Sequence, residues 1–182
     1  RALEQKVRDS SNSKAGLFEK RGQLLPRERL ALLLDRGAPW LELSTLCGFG
    51  MHDDTDQPSG GGIAGIGYVS GIRCMVLASD SAIKGGTSTP MAVKKNHRVQ
   101  QIALQNKLPM VRLVESGGAN LLYQSEMFVD GGRGFANQAR MSATGIPQVT
   151  VVHGSSTAGG AYLPGLSAYV IMVRGKAKVF LA

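Results

Sequence analysis

Three times in this chain a short apolar run gives way to a pair of adjacent glycines, and then to a stretch that suits a helix. Gly85-Gly86 follows MVLASD, Gly117-Gly118 follows PMVRLV, and Gly159-Gly160 follows PQVTVV. Apolar runs of this length read as buried strands. The segments between them are long enough to cross over and return as parallel neighbours. A repeated strand, glycine pair and helix therefore dictates an α/β fold. Ligands in such folds bind at the carboxyl ends of strands, near helix N-termini, and all three pairs fall in that region. The chain holds 24 glycines in 182 residues, with no Gly-Ser tract among them. That is roughly double the ordinary share of about 7%.

The remaining elements follow from punctuation. Residues 1–36 are polar, charged and helix-compatible, and are expected to form a helical N-terminal arm. Within it, 27–36 reads as a short helix after Pro26, with Gly37 able to cap its end, and 1–22 as the more exposed part. Residues 37–61 read as irregular. MHDDTDQPSGGG carries three aspartates and a histidine but lacks the spacing of a calcium loop, so a polar loop is expected. GIAGIGYV and IRCMVLA form a hairpin about Ser70-Gly71. Thr89 and Pro90 suit the N-cap and first turn of the next helix. A strand over 109–115, a helix over 124–143, a strand over 146–154, a short helix from the TAGGAYLPG stretch and two further strands complete a β-β-α-β-α-β-α-β-β order. Arg112, in mid-strand, is expected to carry its head to a strand end or an interface. Residues 37–182 read as one domain. From its apolar last residues and a start without Met, the chain is expected to be cut short.

Composition narrows the class. Hydrophobic residues make up 43%, with one Trp and five Phe, so the core must be aliphatic. Cys47 and Cys74 have no metal or redox spacing and read as inert thiols. No apolar run approaches the length of a membrane span, and no secretory signal order is present. An intracellular protein without membrane association is expected. The formal charge is +8. Residues 1–36 carry nine Lys or Arg against five Asp or Glu, about half of that excess. No basic stripe with interleaved aromatics supports a nucleic-acid partner. A ligand bearing phosphates or a negatively charged partner fits better.

A glycine pair permits positive φ and leaves two N–H groups uncovered. Close packing, a phosphate cradle and an oxyanion hole all use that property. The Walker pattern is absent, and the glycines of GGGIAGIG lie before or within a strand rather than between strand and helix. GSSTA has no nucleophile elbow, and His153 beside Ser155 has no carboxylate at a useful position in sequence. Chemistry in which main-chain N–H groups meet a developing negative oxygen, as on a thioester enolate, remains.

Long motifs, in order, then carry a resemblance. KGGTSTPMAVKK, VRLVESGGANL and FANQARMSATGIPQVTVVHGSSTAGGAYLPG resemble the carboxyltransferase (β) subunit of biotin-dependent acyl-CoA carboxylases, nearest the methylcrotonyl-CoA and geranyl-CoA branch, and only its N-terminal half. The resemblance implies a crotonase-like spiral of ββα units, incomplete at the C-terminus, and carboxyl transfer from carboxybiotin to an acyl-CoA thioester. It implies oxyanion donors at Gly117 and Gly118, flanked by Ala119. Gly85, Gly86, Ser155, Thr157, Ala158, Gly159, Gly160 and Ala161 would lie along the thioester and coenzyme A. It implies no metal, no assigned side-chain base, a biotin carboxylase and biotin carrier subunit as partners, and a homo-oligomer. The location implied is the cytoplasm, or the mitochondrial matrix in a eukaryote. Glu115 stands where the family commonly has Asp, and Leu121-Leu122-Tyr123 departs from its usual pattern near the acyl chain. A biotin-dependent decarboxylase subunit and a non-catalytic assembly fragment are the alternatives.

Overall fold

A computed structural model describes residues 1–51 and 58–181. Three helices come first: α1 (Ala2–Asn12), α2 (Ala15–Lys20) and α3 (Pro26–Leu33). Strands β1 (Leu41–Leu43), β2 (Gly62–Val69) and β3 (Ile72–Ser79) follow, then α4 (Pro90–Gln105), β4 (Met110–Ser116), α5 (Gln124–Ala143) and β5 (Gln148–Thr157). A short α6 (Tyr162–Gly165) and strands β6 (Tyr169–Met172) and β7 (Lys178–Phe180) complete the order. The strands form one mixed sheet, ordered β1-β2-β3-β4-β5-β6, with β7 pairing beside the far end of β5. β1-β2 and β2-β3 are antiparallel, and all later pairings are parallel.

Local chemistry explains the main joints. Ser70 and Gly71 both have positive φ, 52° and 77°, as a tight hairpin turn with right-handed strand twist needs. Asp35 clamps that turn, accepting the N–H groups of Ser70 and Gly71 at 2.8 and 2.7 Å. Thr89 caps α4 by accepting the Ala92 N–H at 3.3 Å. The glycines of GIAGIG serve packing. A Cβ on Gly65 or Gly67 would stand 2.5 or 2.8 Å from the Trp40 ring. Lys95 of α4 is buried and donates to Ser59 O, Ser59 Oγ and Gly62 O at 2.6–2.8 Å, holding the start of β2.

The sheet separates two aliphatic cores. Met75, Val99, Ala103, Met110 and Met141 fill the space beneath α4 and α5. Leu30, Ile63, Cys74, Val76 and Val111 fill the opposite side, where α3 packs. Alternation along β4 assigns its residues to the two sides in turn. Gly134 allows α5 to approach α4. A Cβ there would come 3.2 Å from Asn96 Nδ2, and Gln100 Nε2 donates to the Gly134 carbonyl at 2.8 Å.

Several expectations need correction. Residues 1–22 are not simply an exposed arm, because Val7 and Phe18 are 5% and 1% exposed. The irregular stretch from 37 contains β1, a three-residue edge strand too short to show a period. Its acidic loop lies in large part outside the described residues. β5 does not end at Gly154 but continues to Thr157. Arg112 reaches neither a strand end nor an interface within this chain. It is 2% exposed, and its Nη1 donates to Gln148 Oε1 at 3.2 Å. Both cysteines are free, and burial raises both thiol pKa values, as inert thiols require.

Candidate active site

At the carboxyl ends of β3, β4 and β5 the sheet and the α4–α5 layer part around a cavity of about 540 Å³. Its volume is in the range of about 300–1,000 Å³ usual for ligand sites. Ala92, Val93, Asn96 and His97 of α4 form one wall, and Met127, Phe128, Gly131, Gly132 and Phe135 of α5 another. Ser116 to Ala119 and Ala158 to Gly160 contribute the loops.

The three glycine pairs meet here with different tasks. Gly85 and Gly86, at φ 64° and 75°, do not line the cavity. They build a buttress behind it. The Gly86 carbonyl accepts the Gly117 N–H at 3.2 Å, and a Cβ on Gly86 would stand 3.1 Å from the Glu115 carbonyl oxygen. Gly117 is enclosed by that buttress, since its Cβ would meet Thr87 Cγ2 at 3.0 Å and Gly85 O at 3.1 Å. Gly118 turns the chain at φ 81°. Ser88 then stitches the loop to the start of α4, donating to Gly118 O at 2.8 Å and accepting from the Asn120 N–H at 2.9 Å.

The amides differ in consequence. Gly117 has its N–H engaged by the Gly86 backbone. Gly118 donates to Ser116 Oγ at 3.1 Å, a side-chain hydroxyl that a χ1 rotation removes. Ala119 sits in a parallel bridge with Ser88 that uses its neighbours' polar groups, and its own N–H has no acceptor among the described residues. Of the three expected donors, Gly117 is held by backbone, Gly118 by a side-chain hydroxyl, and Ala119 by no acceptor among the described residues.

The third pair braces the loop. A Cβ on Gly160 would lie 2.7 Å from both Cβ and Oγ of Ser116, whereas one on Gly159 would meet only Phe135 at 3.5 Å. Thr157 Oγ1 donates to the Ser116 carbonyl at 3.2 Å. Ala158 holds φ 48° on the cavity rim, a left-handed conformation that costs an L-residue about 1–2 kcal/mol. Of the expected residues, Gly117, Gly118, Ala119, Ala158, Gly159 and Gly160 line the cavity; Gly85, Gly86, Ser155, Thr157 and Ala161 do not. Ser155 is exposed and paired with Lys178 of β7. The register shift between Val114 and Ser116 places buried Ser156 opposite Ser116 instead.

Among the described residues of the cavity wall, only His97 and Arg112 are ionisable at ordinary pH. Burial and nearby Arg133 lower the His97 pKa, so the ring is neutral, and its Nε2 has no partner among the described residues. Burial brings the Arg112 guanidinium down to about 10, which leaves it charged at neutral pH. No carboxylate is among the described residues of the cavity wall. The polar wall residues Asn96, His97 and Arg112 were legible only as helix and strand positions.

An α/β sheet of ββα units, whose β4 loop lines a mostly apolar cleft, defines the crotonase-like class. Residues 18–182 match the carboxyl transferase domain family, and the chain belongs to it. It is 54% identical over 164 residues to the 3-methylcrotonyl-coenzyme A carboxylase β1 subunit of Mycobacterium tuberculosis, covering 88% of this chain and 31% of that one. The β subunit of P. aeruginosa geranyl-CoA carboxylase superposes on all of it with TM-score 0.94 at 69% identity, over 34% of its own length. A transcarboxylase 12S structure with hydrolysed methylmalonyl-coenzyme A bound shares the fold at TM-score 0.80 and 23% identity, covering 100% of this chain and 36% of that one. The chain spans about a third of the length of these relatives.

Proposed function

We propose that this chain forms the acyl-CoA side of a carboxyltransferase, in which a carboxyl group passes from carboxybiotin to an acyl-CoA through a thioester enolate. The observation that carries this reading is the pair of N–H groups at Gly118 and Ala119. One is bonded only to a rotatable hydroxyl and the other to no acceptor among the described residues, at a mostly apolar cavity. Such donors count most where charge develops, and each contributes on the order of 3 kcal/mol to the transition state.

The residues fit a thioester. The oxygen sits against the two amides and the acyl chain extends between α4 and α5. Carboxybiotin, brought by a biotin-carrying partner subunit, supplies the carboxyl group. The chain's own part is to bind, to hold the carbonyl and to exclude water. Among the described residues of the cavity wall the neutral His97 ring is the one side-chain base, and proton removal is assigned to a group from outside this half of the site. The Gly117 amide serves as a brace, and Gly85 and Gly86 act through it.

A long, branched, unsaturated acyl group fits the cavity best. A Cβ at Gly131 or Gly132 would meet nothing within 4 Å, so the α5 wall is open where side chains would shorten it. The similarity to a geranyl-CoA carboxylase subunit points the same way. Residues 1–36 act as an arm and 37–182 as the carboxyltransferase domain, assembled with further copies of the subunit. No helix among the described residues is long and apolar enough to cross a membrane, and a cytoplasmic or mitochondrial-matrix location follows from the proposed activity. The experiment is a rate scan of the intact enzyme, with its biotin-bearing partner, across acyl-CoA esters of increasing length. Preference for ten-carbon over five-carbon chains supports the reading; indifference to acyl-CoA altogether overturns it.

A further inference from the structure

The carboxylate of Glu115 lies on the far side of β4 from the cavity, one residue before the loop that carries the amides. Its side chain is 13% exposed. Three separate segments hold it. Ser81, after β3, donates to Oε2 at 3.0 Å, and Gln23, in the N-terminal arm, donates to Oε1 at 3.3 Å. On β5, a Cβ on Gly154 would stand 2.6 Å from the carboxylate carbon, so Gly154 is a slot cut for this side chain.

Behind the carboxylate stands His153, whose Nδ1 lies 3.8 Å from Oε2, beyond hydrogen-bond distance, with no hydrogen-bond partner among the described residues. Its other nitrogen, Nε2, meets Arg29 Nη1 at 2.9 Å. Arginine can only donate, so Nε2 accepts and Nδ1 carries the ring proton on the Glu115 side. Arg29 is fixed in turn by Leu24 O at 2.6 Å and by the Phe18 ring 5.7 Å below it. The negative charge beside the site is therefore opposed by a cation on α3 through a neutral imidazole. The register shift in the β4–β5 pairing occurs at this point, and Glu115 fills it.

We propose that Glu115 is a positioning residue for the amide loop, and that Arg29, His153 and Gln23 tie it to the N-terminal arm. The arm then sets where the Gly118 and Ala119 N–H groups point. This rests on the oxyanion reading above. Ser116 inherits the orientation of Glu115 through one peptide bond, and a displacement of about 1 Å at such a loop costs up to a hundredfold in rate.

The test uses the intact enzyme with its biotin-bearing partner and measures kcat and KM for acyl-CoA. Arg29→Met and Gln23→Leu are expected to lower kcat about tenfold or more while KM stays within about twofold, with part of the loss recovered in Arg29→Lys. Val7→Ala, which loosens the arm without touching the relay, is expected to lower the melting temperature and leave kcat intact. The proposal is overturned if the two relay variants keep kcat within about twofold, or if Val7→Ala lowers it as much as they do. Gly118→Val, assayed in parallel, separates the two ideas. If it also turns over normally, the oxyanion reading itself falls; if it alone is inactive, only the coupling to the arm falls.

Discussion

The carbonyl of Gly86 accepts the N–H of Gly117 at 3.2 Å, so one glycine pair braces another. In the function proposed above, this bond makes Gly117 a brace and leaves the donor role to Gly118 and Ala119, both of which line the cavity. Positive φ at Gly85, Gly86 and Gly118 makes the arrangement available to glycine and strained for other residues.

Substitutions along this loop should be graded. Gly118→Val forces an L-residue to φ 81°, and Gly117→Val drives side-chain atoms into Thr87 and Gly85. Each should reduce carboxyl transfer about a hundredfold or more, through displaced donors. Ser116→Ala removes only the hydroxyl that occupies the Gly118 N–H, and should cost less than about tenfold. Steady-state kinetics of the three variants checks the order.

Gly159 and Gly160 should separate as sharply, although they are neighbours. Gly160→Ala places a methyl 2.7 Å from Ser116 and should cost about 1–3 kcal/mol in stability, with loss of activity. Gly159→Ala meets only Phe135 at ordinary contact distance and should cost under about 1 kcal/mol. Chemical denaturation of both variants measures the difference.

Gly131 and Gly132 occupy the interior of a twenty-residue helix, where glycine is unfavourable by about 1 kcal/mol relative to alanine. Gly131→Ala should therefore stabilise α5 by roughly that amount. Gly132→Phe should instead shorten the cavity and shift preference from ten-carbon toward five-carbon acyl-CoA esters. Melting curves check the first, and competition between two acyl-CoA substrates the second.

Acid should weaken the fold through His153. Burial, helped by Arg29, lowers its pKa from 6.5 to about 4, against the opposing pull of Glu115. Between those values the unfolded chain binds a proton that the folded chain does not. The contribution is therefore full above about pH 6.5 and is lost as pH falls through about 4, on the order of 3 kcal/mol in all. His153→Gln should show a shallower decline in urea midpoint from pH 7 to 4.5.

The sequence carried those parts of the fold that rest on local chemistry. Ser70-Gly71, Thr89-Pro90 and the span of α5 were legible because a turn, a cap and a helical period each leave a mark within a few residues. β1 was not, because three residues have no period and its pairing with β2 lies about twenty residues away. The end of β5 was misplaced because Gly154 reads as a terminator. In the structure it is glycine to admit the Glu115 carboxylate from across the sheet. Ser155 was expected at the site, but it is exposed and pairs with β7, a strand whose place beside β5 the sequence does not show. Two of the three glycine pairs fall in loops that line the cavity, but a sequence cannot say which N–H groups a neighbouring loop has already engaged.

The central claim is that the Gly118 and Ala119 amides polarise the carbonyl of an acyl-CoA thioester. Isotope-edited infrared spectra of a carbonyl-¹³C acyl-CoA bound to the intact enzyme test it most directly. The account predicts a carbonyl stretch moved to lower frequency than in buffer, and a return toward the buffer value in Gly118→Val under conditions where the ester still binds. A bound carbonyl absorbing at its free-solution frequency in the unaltered enzyme contradicts it.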